Sequence, residues 1–399
     1  MAALGCEAPL QQGGVVFAPG AEARAVIAMR MGYLGFDREA VPGQVRRVVY
    51  KDQLPEGSGA GKIGDWVLEN GPIVAVVTGL DGTARGGRLV DFARKPSMRD
   101  HLARVSPTVL GREVVYDSIV TGYDDSTAGS YVEVSGRVDL SSEGGPVVDV
   151  ATRFDMGPGL ELVVCHTNLK VVRGVVAPDA APLLVERVRA DAAATPVVDP
   201  SGAYGASLGD GAGYLVRPIG DVPTVQLIDG DPALVVPASA APGAGEALVI
   251  SRVITVLERA DSAALAVALA QADGRDLGEI EVRVSPQKGK PSPRSVDLAF
   301  IPESGEPLAL CDLRPTGEDS HYAARVPAGS YRIVAADASA EPVAADATAA
   351  DASDAVTPRG ELVAIEANRL AFVTLPPIRS GSRSFCGRVQ AASPSAPSP

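Results

Sequence analysis

The side chains of this 399-residue chain that could do chemistry fall into two groups. The first is a set of carboxylates, Asp65, Glu69 and Asp91, inside the stretch Lys62–Arg94, which also carries the only tryptophan, Trp66. Carboxylates held together act as general acid and base or bind calcium. Asp65 and Glu69 flank a strand-like segment, with Arg85 and Arg88 close by as ion-pair partners. Asn70 and Asp91 have side chains suited to holding turns by Asx-type hydrogen bonds. Asp65, Trp66, Glu69 and Asp91 are the candidate binding residues. The second group centres on His166, in Val163-Val164-Cys165-His166-Thr167-Asn168. With Glu133 or Glu161 beside it, His166 would shuttle a proton, and these three are the catalytic candidates. Its apolar neighbours favour a buried structural histidine instead. His101, beside Asp100, and His321, at the head of a strand-like segment, read as surface residues.

Other chemistries leave no signature. Asp124-Asp125 and Asp229-Gly230-Asp231 are acidic turns without the spacing of a calcium-binding helix-loop-helix. Gly205–Gly213 is glycine-rich but lacks the G-K-[ST] ending and the following helix of a phosphate-binding loop. No G-x-S-x-G is present to suggest a hydrolase. The histidines are isolated, and the four cysteines, Cys6, Cys165, Cys311 and Cys386, form no C-x-x-C pair, so neither a metal nor a cofactor is expected. Cys165 reads as a buried thiol. A disulfide between Cys311 and Cys386 is left open by spacing alone. The net charge of -13 and a pI near 4.8 argue against nucleic acid as a partner, which needs a basic face. The acidity serves solubility.

Ala3-Leu4-Gly5-Cys6 resembles a bacterial lipobox, although the charged and apolar stretch that should precede it is missing. The expectation is a lipoprotein of the periplasm, outer membrane or cell surface whose signal peptide is truncated in this sequence. It would touch the membrane only through lipid at Cys6, because no apolar run is long enough to span a bilayer.

The elements that must position these residues are short strands. Hydrophobic residues make up 46% and aromatics only 4%, so the cores are built of Val, Leu, Ile and Ala. With 43 Gly and 32 Pro, turns are frequent. Asp65–Glu69, Ile73–Thr78 and Arg88–Phe92 are predicted strands with Asn70-Gly71-Pro72 turning between the first two. In Tyr131–Asp139, Val132, Val134 and Val138 alternate with Glu133, Ser135 and Arg137, the period of a half-buried strand. Ala25–Arg30 reads as a strand or short helix, Lys95–Arg104 as a turn or two of helix, and Gly202–Gly213 as a loop. Ala247–Leu257 is a long apolar strand whose Arg252 is expected at an exposed edge. Ala264, Leu265, Ala268 and Leu269 mark one helix within Glu258–Ala272, ended by Gly274. From Leu277, strands recur about every ten residues with Gly/Pro turns, the pattern of a small antiparallel sandwich.

Two stretches carry family resemblances. Glu279–Ser285, Glu303-Ser304-Gly305-Glu306-Pro307 and Val326-Pro327-Ala328-Gly329-Ser330-Tyr331-Arg332-Ile333 together resemble the carboxypeptidase regulatory-like, or transthyretin-like, domain. That resemblance implies a non-catalytic spacer in which the glycine turns a hairpin and the tyrosine packs inside. Gly64-Asp65-Trp66-Val67-Leu68-Glu69-Asn70 and Gly86-Gly87-Arg88-Leu89-Val90-Asp91 are similar to the amino-terminal part of certain large secreted proteins of myxobacteria and relatives. The wider region looks like a galactose-mutarotase-like supersandwich. A mutarotase moves a proton at a sugar's ring oxygen with a histidine and a carboxylate, a role the resemblance would give to His166 with Glu133 or Glu161. The metallohydrolase domain of some relatives needs clustered histidines and is absent here.

The expected fold is all-β: a large antiparallel β-supersandwich followed by a small transthyretin-like sandwich, with one short linking helix. The expected organisation is a leader at 1–20, the large domain at 21–257, a helical linker at 258–276, the small sandwich at 277–378 with an Ala/Asp-rich insertion at 336–357, and a disordered tail at 379–399. The expected function is that of a non-catalytic cell-envelope binding or structural protein with a glycan or an envelope protein as partner. The alternative is a sugar-active epimerase or lyase. A third reading is a secreted subunit that accompanies a separate hydrolase.

Overall fold

The computed structural model describes residues 43–378, apart from 55, 58–60, 96–98, 101, 125–128, 160, 191–193, 210–211, 287–292, 305–306, 317–320 and 338–361. The leader with Cys6, the Ala25–Arg30 segment, His101, Asp125, Cys386, most of the Ala/Asp-rich stretch and the tail lie outside the described residues. The described chain separates into two compact units, the first made of most residues up to Val256 and the second dominated by residues from Leu257 onward. The fold is all-β, with several antiparallel sheets and a single α-helix among the described residues.

The first unit opens with β1 (Gln44–Arg47), β2 (Glu56–Gly57), β3 (Trp66–Glu69), β4 (Ile73–Val77), β5 (Leu89–Arg94) and β6 (Arg99–Asp100). It continues with β7 (Leu102–Val109), β8 (Arg112–Glu113), β9 (Tyr116–Asp124), β10 (Gly129–Asp139), β11 (Val147–Met156) and β12 (Leu162–Arg173). It ends with β13 (Leu184–Ala190), β14 (Thr195–Val198), β15 (Gly205–Leu208), β16 (Gly213–Ile219), β17 (Thr224–Ile228), β18 (Asp231–Val236) and β19 (Ala247–Leu257). Three main sheets result, in the orders β1-β3-β4-β5, β17-β18-β13-β7-β8 and β14-β15-β16-β19-β12-β11-β10-β9, and β2 pairs with β6 in parallel.

Burial explains the assignments. β4, Ile-Val-Ala-Val-Val, lies between β3 and β5 with every residue buried, as a strand covered on both faces must. β10 alternates as its sequence does: Val132, Val134 and Val138 are buried while Glu133 and Ser135 are half-buried and Arg137 is exposed. The described residues of Lys95–Arg104 are not helical. The polar ones make β6 and the start of β7, held by Asp100, whose Oδ1 accepts from the amides of Phe92 and Leu102. Part of the Gly202–Gly213 segment is a strand too, β15, whose four residues are all buried.

Arg252 corrects the sequence reading most sharply. β19 is interior to the eight-stranded sheet, flanked by β16 and β12, and Arg252 is wholly buried. Its guanidinium forks onto Glu186 of β13, itself 1% exposed, with Nε 2.7 Å from one carboxylate oxygen and Nη2 on the other. Nη1 donates to Thr167 Oγ1 at 2.7 Å, and hydroxyl contacts continue from Thr167 through Thr152 to Tyr116. A bidentate pair is one of the few ways to hold a guanidinium inside a core. Cys165, beside it on β12, is a fully buried free thiol that burial pushes up to a pKa of about 12.

The second unit begins with the helix α1 (Ser262–Ala272), followed by β20 (Leu277–Val284), β21 (Val296–Pro302), β22 (Leu308–Leu313), β23 (His321–Pro327), β24 (Gly329–Asp337), β25 (Val363–Ile365) and β26 (Leu370–Leu375). Two sheets, β23-β20-β26 and β22-β21-β24-β25, enclose a core of Ile280, Val282, Leu298, Phe300, Tyr322 and Ile333 among others. The helix is part of this unit. Asp261 caps it by accepting from Ala264 N and also accepts from Cys311 N of β22, while Ser262 accepts from Ala309 N. Its buried residues are Ala263, Leu265, Ala268 and Ala270, so the inward face is rotated from the expected one. Gly274, at φ +66°, follows the helix end.

The Val326–Ile333 motif is not a hairpin. β23 and β24 belong to different sheets, and the chain crosses between them at Ala328. Tyr331 packs edge-on to Phe300 and donates its hydroxyl to Pro327 O at 2.9 Å. A Cβ at Gly329 would approach the Tyr331 ring to 3.2 Å, so glycine leaves room for that ring. Cys311 is disulfide-bonded, to a partner outside the described residues.

Candidate functional site

The Lys62–Arg94 stretch shapes an open cleft of about 800 Å³ within the first unit. Its walls are Arg47 at the end of β1, the Lys62–Trp66 turn, the 78–88 loop, Ala103 and Arg104 of β7 and Ile119 of β9. Asp65 ties two walls together: Oδ2 accepts from Lys62 N and Oδ1 from Gly79 N, both at 2.7 Å. Thr78 winds the loop, its hydroxyl donating to Arg85 O and accepting from Arg88 N. Asp81 caps the loop tip by accepting from Thr83 N and Thr83 Oγ1, and these bonds hold its carboxyl below the usual carboxylate range. Gly87 has φ +70°, and a Cβ there would lie 2.7 Å from the Tyr116 ring. Only glycine permits that turn and that approach together.

The structure brings Asp65 and Trp66 to this cleft and takes Glu69 and Asp91 elsewhere. Trp66 is half-buried in the wall. Glu69 lies between Arg46 and Lys95, both at 3.2 Å. Burial opposes its ionisation, but those two cations outweigh it and lower its pKa. Asp91 is fully buried, and its Oδ2 accepts from Gly61 N, thirty residues away. Asn70 does hold its turn, accepting from Ile73 N through Oδ1 while Nδ2 donates to Gly157 O.

Arg85 and Arg88 do not pair with Asp65 or Glu69. Both line the cleft, as do Arg47, Lys62 and Arg104, and none of these five cations forms a salt bridge with a carboxylate among the described residues. Arg88 is 2% exposed. Its Nε donates to Ala84 O and its Nη2 to Val114 O, and its plane covers Tyr116 at 5.0 Å from the ring centroid. Its Nη1 is buried without a hydrogen-bond partner. The cleft is therefore positive inside an acidic protein. The sequence signal was only Arg85-Gly86-Gly87-Arg88; Arg47, Lys62 and Arg104 join it through sheet pairing.

His166 lies in a cross-strand row on one face of the eight-stranded sheet. Glu133 of β10 is opposite Arg153 of β11, Arg153 opposite His166 of β12, and His166 opposite Ser251 of β19. Arg153 pairs with Asp155 at 2.7 Å and Asp124 at 3.0 Å and covers Tyr131 at 3.8 Å. His166 is 0% exposed, with Nδ1 2.9 Å from Ser251 Oγ and Nε2 3.9 Å from Asp155 Oδ2. Burial, then the positive charges of Arg252 and Arg153, push its pKa down to about 3. Burial raises Asp155 to about 6 against the pull of Arg153, and raises Glu133 as well. Glu133 thus shares the row with His166, one strand removed. Glu161 does not: it pairs with Arg94 at 2.7 Å, and five residues of strand, roughly 16 Å, separate it from His166. His321 is half-buried and contacts Glu281. Among the described residues no cluster of His, Cys, Asp and Glu could hold a metal ion.

No family model and no curated protein sequence matches this chain. Among solved structures, the heparan sulfate lyase HepC from Pedobacter heparinus is similar over 52% of this chain and 37% of its own, at 10% identity and a TM-score of 0.33. The chain thus spans little more than a third of that lyase. The Slr1438 protein from Synechocystis sp. PCC 6803 covers 51% of this chain with 99% of its own, at 7% identity and 0.34. A GalM/aldose epimerase homologue from C. elegans covers 47% with 96% of its own, at 8% identity and 0.27. Scores this low reflect shared β-sheet packing and carry no statement about what the chain does.

Proposed function

We propose that this protein is a non-catalytic binding protein of the bacterial cell envelope that recognises carbohydrate at the Trp66 cleft. The observation that carries the reading is the cleft itself, of ordinary ligand-site size, lined by an indole and by five cations that form no salt bridge among the described residues. An indole offers a sugar ring an apolar face together with one N–H donor. The envelope location and the lipid at Cys6 belong to the same proposal and rest on Ala3-Leu4-Gly5-Cys6. The second unit, in this reading, is a transthyretin-like spacer. Because Trp66 is the only tryptophan, its fluorescence reports on the cleft alone. Titration with a panel of oligosaccharides should change it saturably, and Trp66→Phe, followed by calorimetry, should weaken binding. A panel without any saturable response removes the reading.

The alternative, a sugar epimerase or lyase, is favoured by one observation, the alignment of Glu133, Arg153, His166 and Ser251. It would need His166 to reach a sugar. The imidazole is sealed from solvent and stays neutral above pH 4, which supports a structural role instead. Optical-rotation assays should show no acceleration of sugar mutarotation; acceleration abolished by His166→Gln would reverse the choice.

A further inference from the structure

We propose that the cleft selects an acidic oligosaccharide, with the carboxylate or sulfate of one sugar unit held by Arg88 and Arg104. This deepens the proposed function and rests on it. The chain has 49 acidic and 36 basic residues, so a surface arginine has carboxylates in abundance to pair with. Elsewhere in the first unit most of the described arginines do pair: Arg46, Arg94, Arg112, Arg137, Arg153, Arg187, Arg189 and Arg252 each meet a carboxylate. In the cleft five cations form no salt bridge among the described residues. The two acids there are committed to backbone amides and the Thr83 hydroxyl, Asp65 bridging Lys62 and Gly79 and Asp81 capping Thr83.

Arg88 is the sharpest case. A buried guanidinium without a paired carboxylate is costly to fold, yet Arg88 forms no salt bridge among the described residues, Glu113 and Glu186 acting on it only from a distance, its Nη1 lacks a partner, and it lines an open cleft. Burial is the main effect and lowers its pKa; Tyr116, Glu113 and Glu186 pull the other way, and the like charge of Arg104 adds a smaller lowering. A carboxylate or a sulfate meets both needs: it supplies the counter-charge and offers two oxygens to the two-pronged guanidinium. Trp66, which lines the same cleft, would receive the sugar ring.

The test is a Trp66 fluorescence titration of the full chain at low and moderate salt. The probes are a galacturonic acid oligomer, a heparin-derived sulfated oligomer, a neutral galactose oligomer of the same length, and inorganic sulfate. At least one acidic oligomer should bind tenfold or more tightly than the neutral one, and its affinity should fall as salt rises. Arg104→Gln should remove roughly tenfold of that affinity and leave the neutral oligomer unchanged. Arg88→Gln is read only if its circular dichroism and thermal midpoint match the parent, since the site is buried; Arg47→Gln, on an exposed side chain, supplies the second variant otherwise. Equal binding of acidic and neutral oligomers overturns the acidic selectivity and leaves carbohydrate recognition standing. Saturation by inorganic sulfate as tight as by the oligomers, or silence towards every sugar, overturns both.

Discussion

At the scale of single residues, two buried groups have measurable consequences. Arg252 and Glu186 neutralise one another inside the core, so removing either leaves a stranded charge. Arg252→Met and Glu186→Gln should each destabilise the first unit by about 3–5 kcal/mol in urea unfolding, with the double variant far less affected than the sum. An additive double variant would contradict the pairing. His166 and Asp155 make opposite contributions to acid stability. The folded pKa of His166, about 3, lies below the ordinary value of 6.5, so the stability it contributes is present above pH 6.5 and is lost as pH falls toward 3. The folded pKa of Asp155, about 6, lies above the ordinary value of 3.8, so it costs stability above pH 6 and returns it as pH falls toward 4. Between pH 7.5 and 4.5 the two effects, roughly 2–3 kcal/mol each, oppose one another and largely cancel. His166→Gln should therefore lose less stability than wild type on acidification over that range, and Asp155→Asn should lose more. Parallel pH profiles for all three proteins would refute this assignment.

At the scale of elements, α1 is anchored by its first two residues as much as by its apolar face. Asp261 caps the helix and accepts from Cys311 N, and Ser262 accepts from Ala309 N. Asp261→Ala should lower the stability of the second unit by about 2 kcal/mol, more than a cap alone, because a β22 amide loses its acceptor as well. Ser262→Ala, monitored by the same denaturant melt, should cost less. Strands such as β10 were legible in the sequence because one face is wet and the other dry, which imposes a period of two. β4 was legible as an unbroken apolar run. The β6–β7 segment was not, because it is held by Asp100 accepting from the amides of Phe92 and Leu102, a tie to β5 that leaves no periodic pattern in the sequence. Arg252 was misplaced for a related reason: its countercharge, Glu186, is 66 residues away. The Val326–Ile333 motif fixed a tight corner and an inward tyrosine, but which sheet each arm joins depends on β20 and β21. The cleft cations were the least legible, being gathered from β1, two turns and β7.

At the scale of the whole molecule, each unit encloses its own apolar core. The cleft is confined to the first unit, so its chemistry can be tested without reference to the second. The central pairing of the long sheet, β12 with β19, joins segments some 85 residues apart, as between His166 and Ser251, and non-local pairing of that kind forms slowly. Cys165 lies on that seam, opposite Arg252, sealed and protonated. Thiolate is the reactive form, so an alkylating reagent can reach this sulfur only when the seam parts. Mass mapping of the Cys165 peptide under pulse alkylation thus turns one inert atom into a clock for how often the longest sheet breathes. Labelling should be orders of magnitude slower than for a free thiol in solution, and should accelerate in Glu186→Gln.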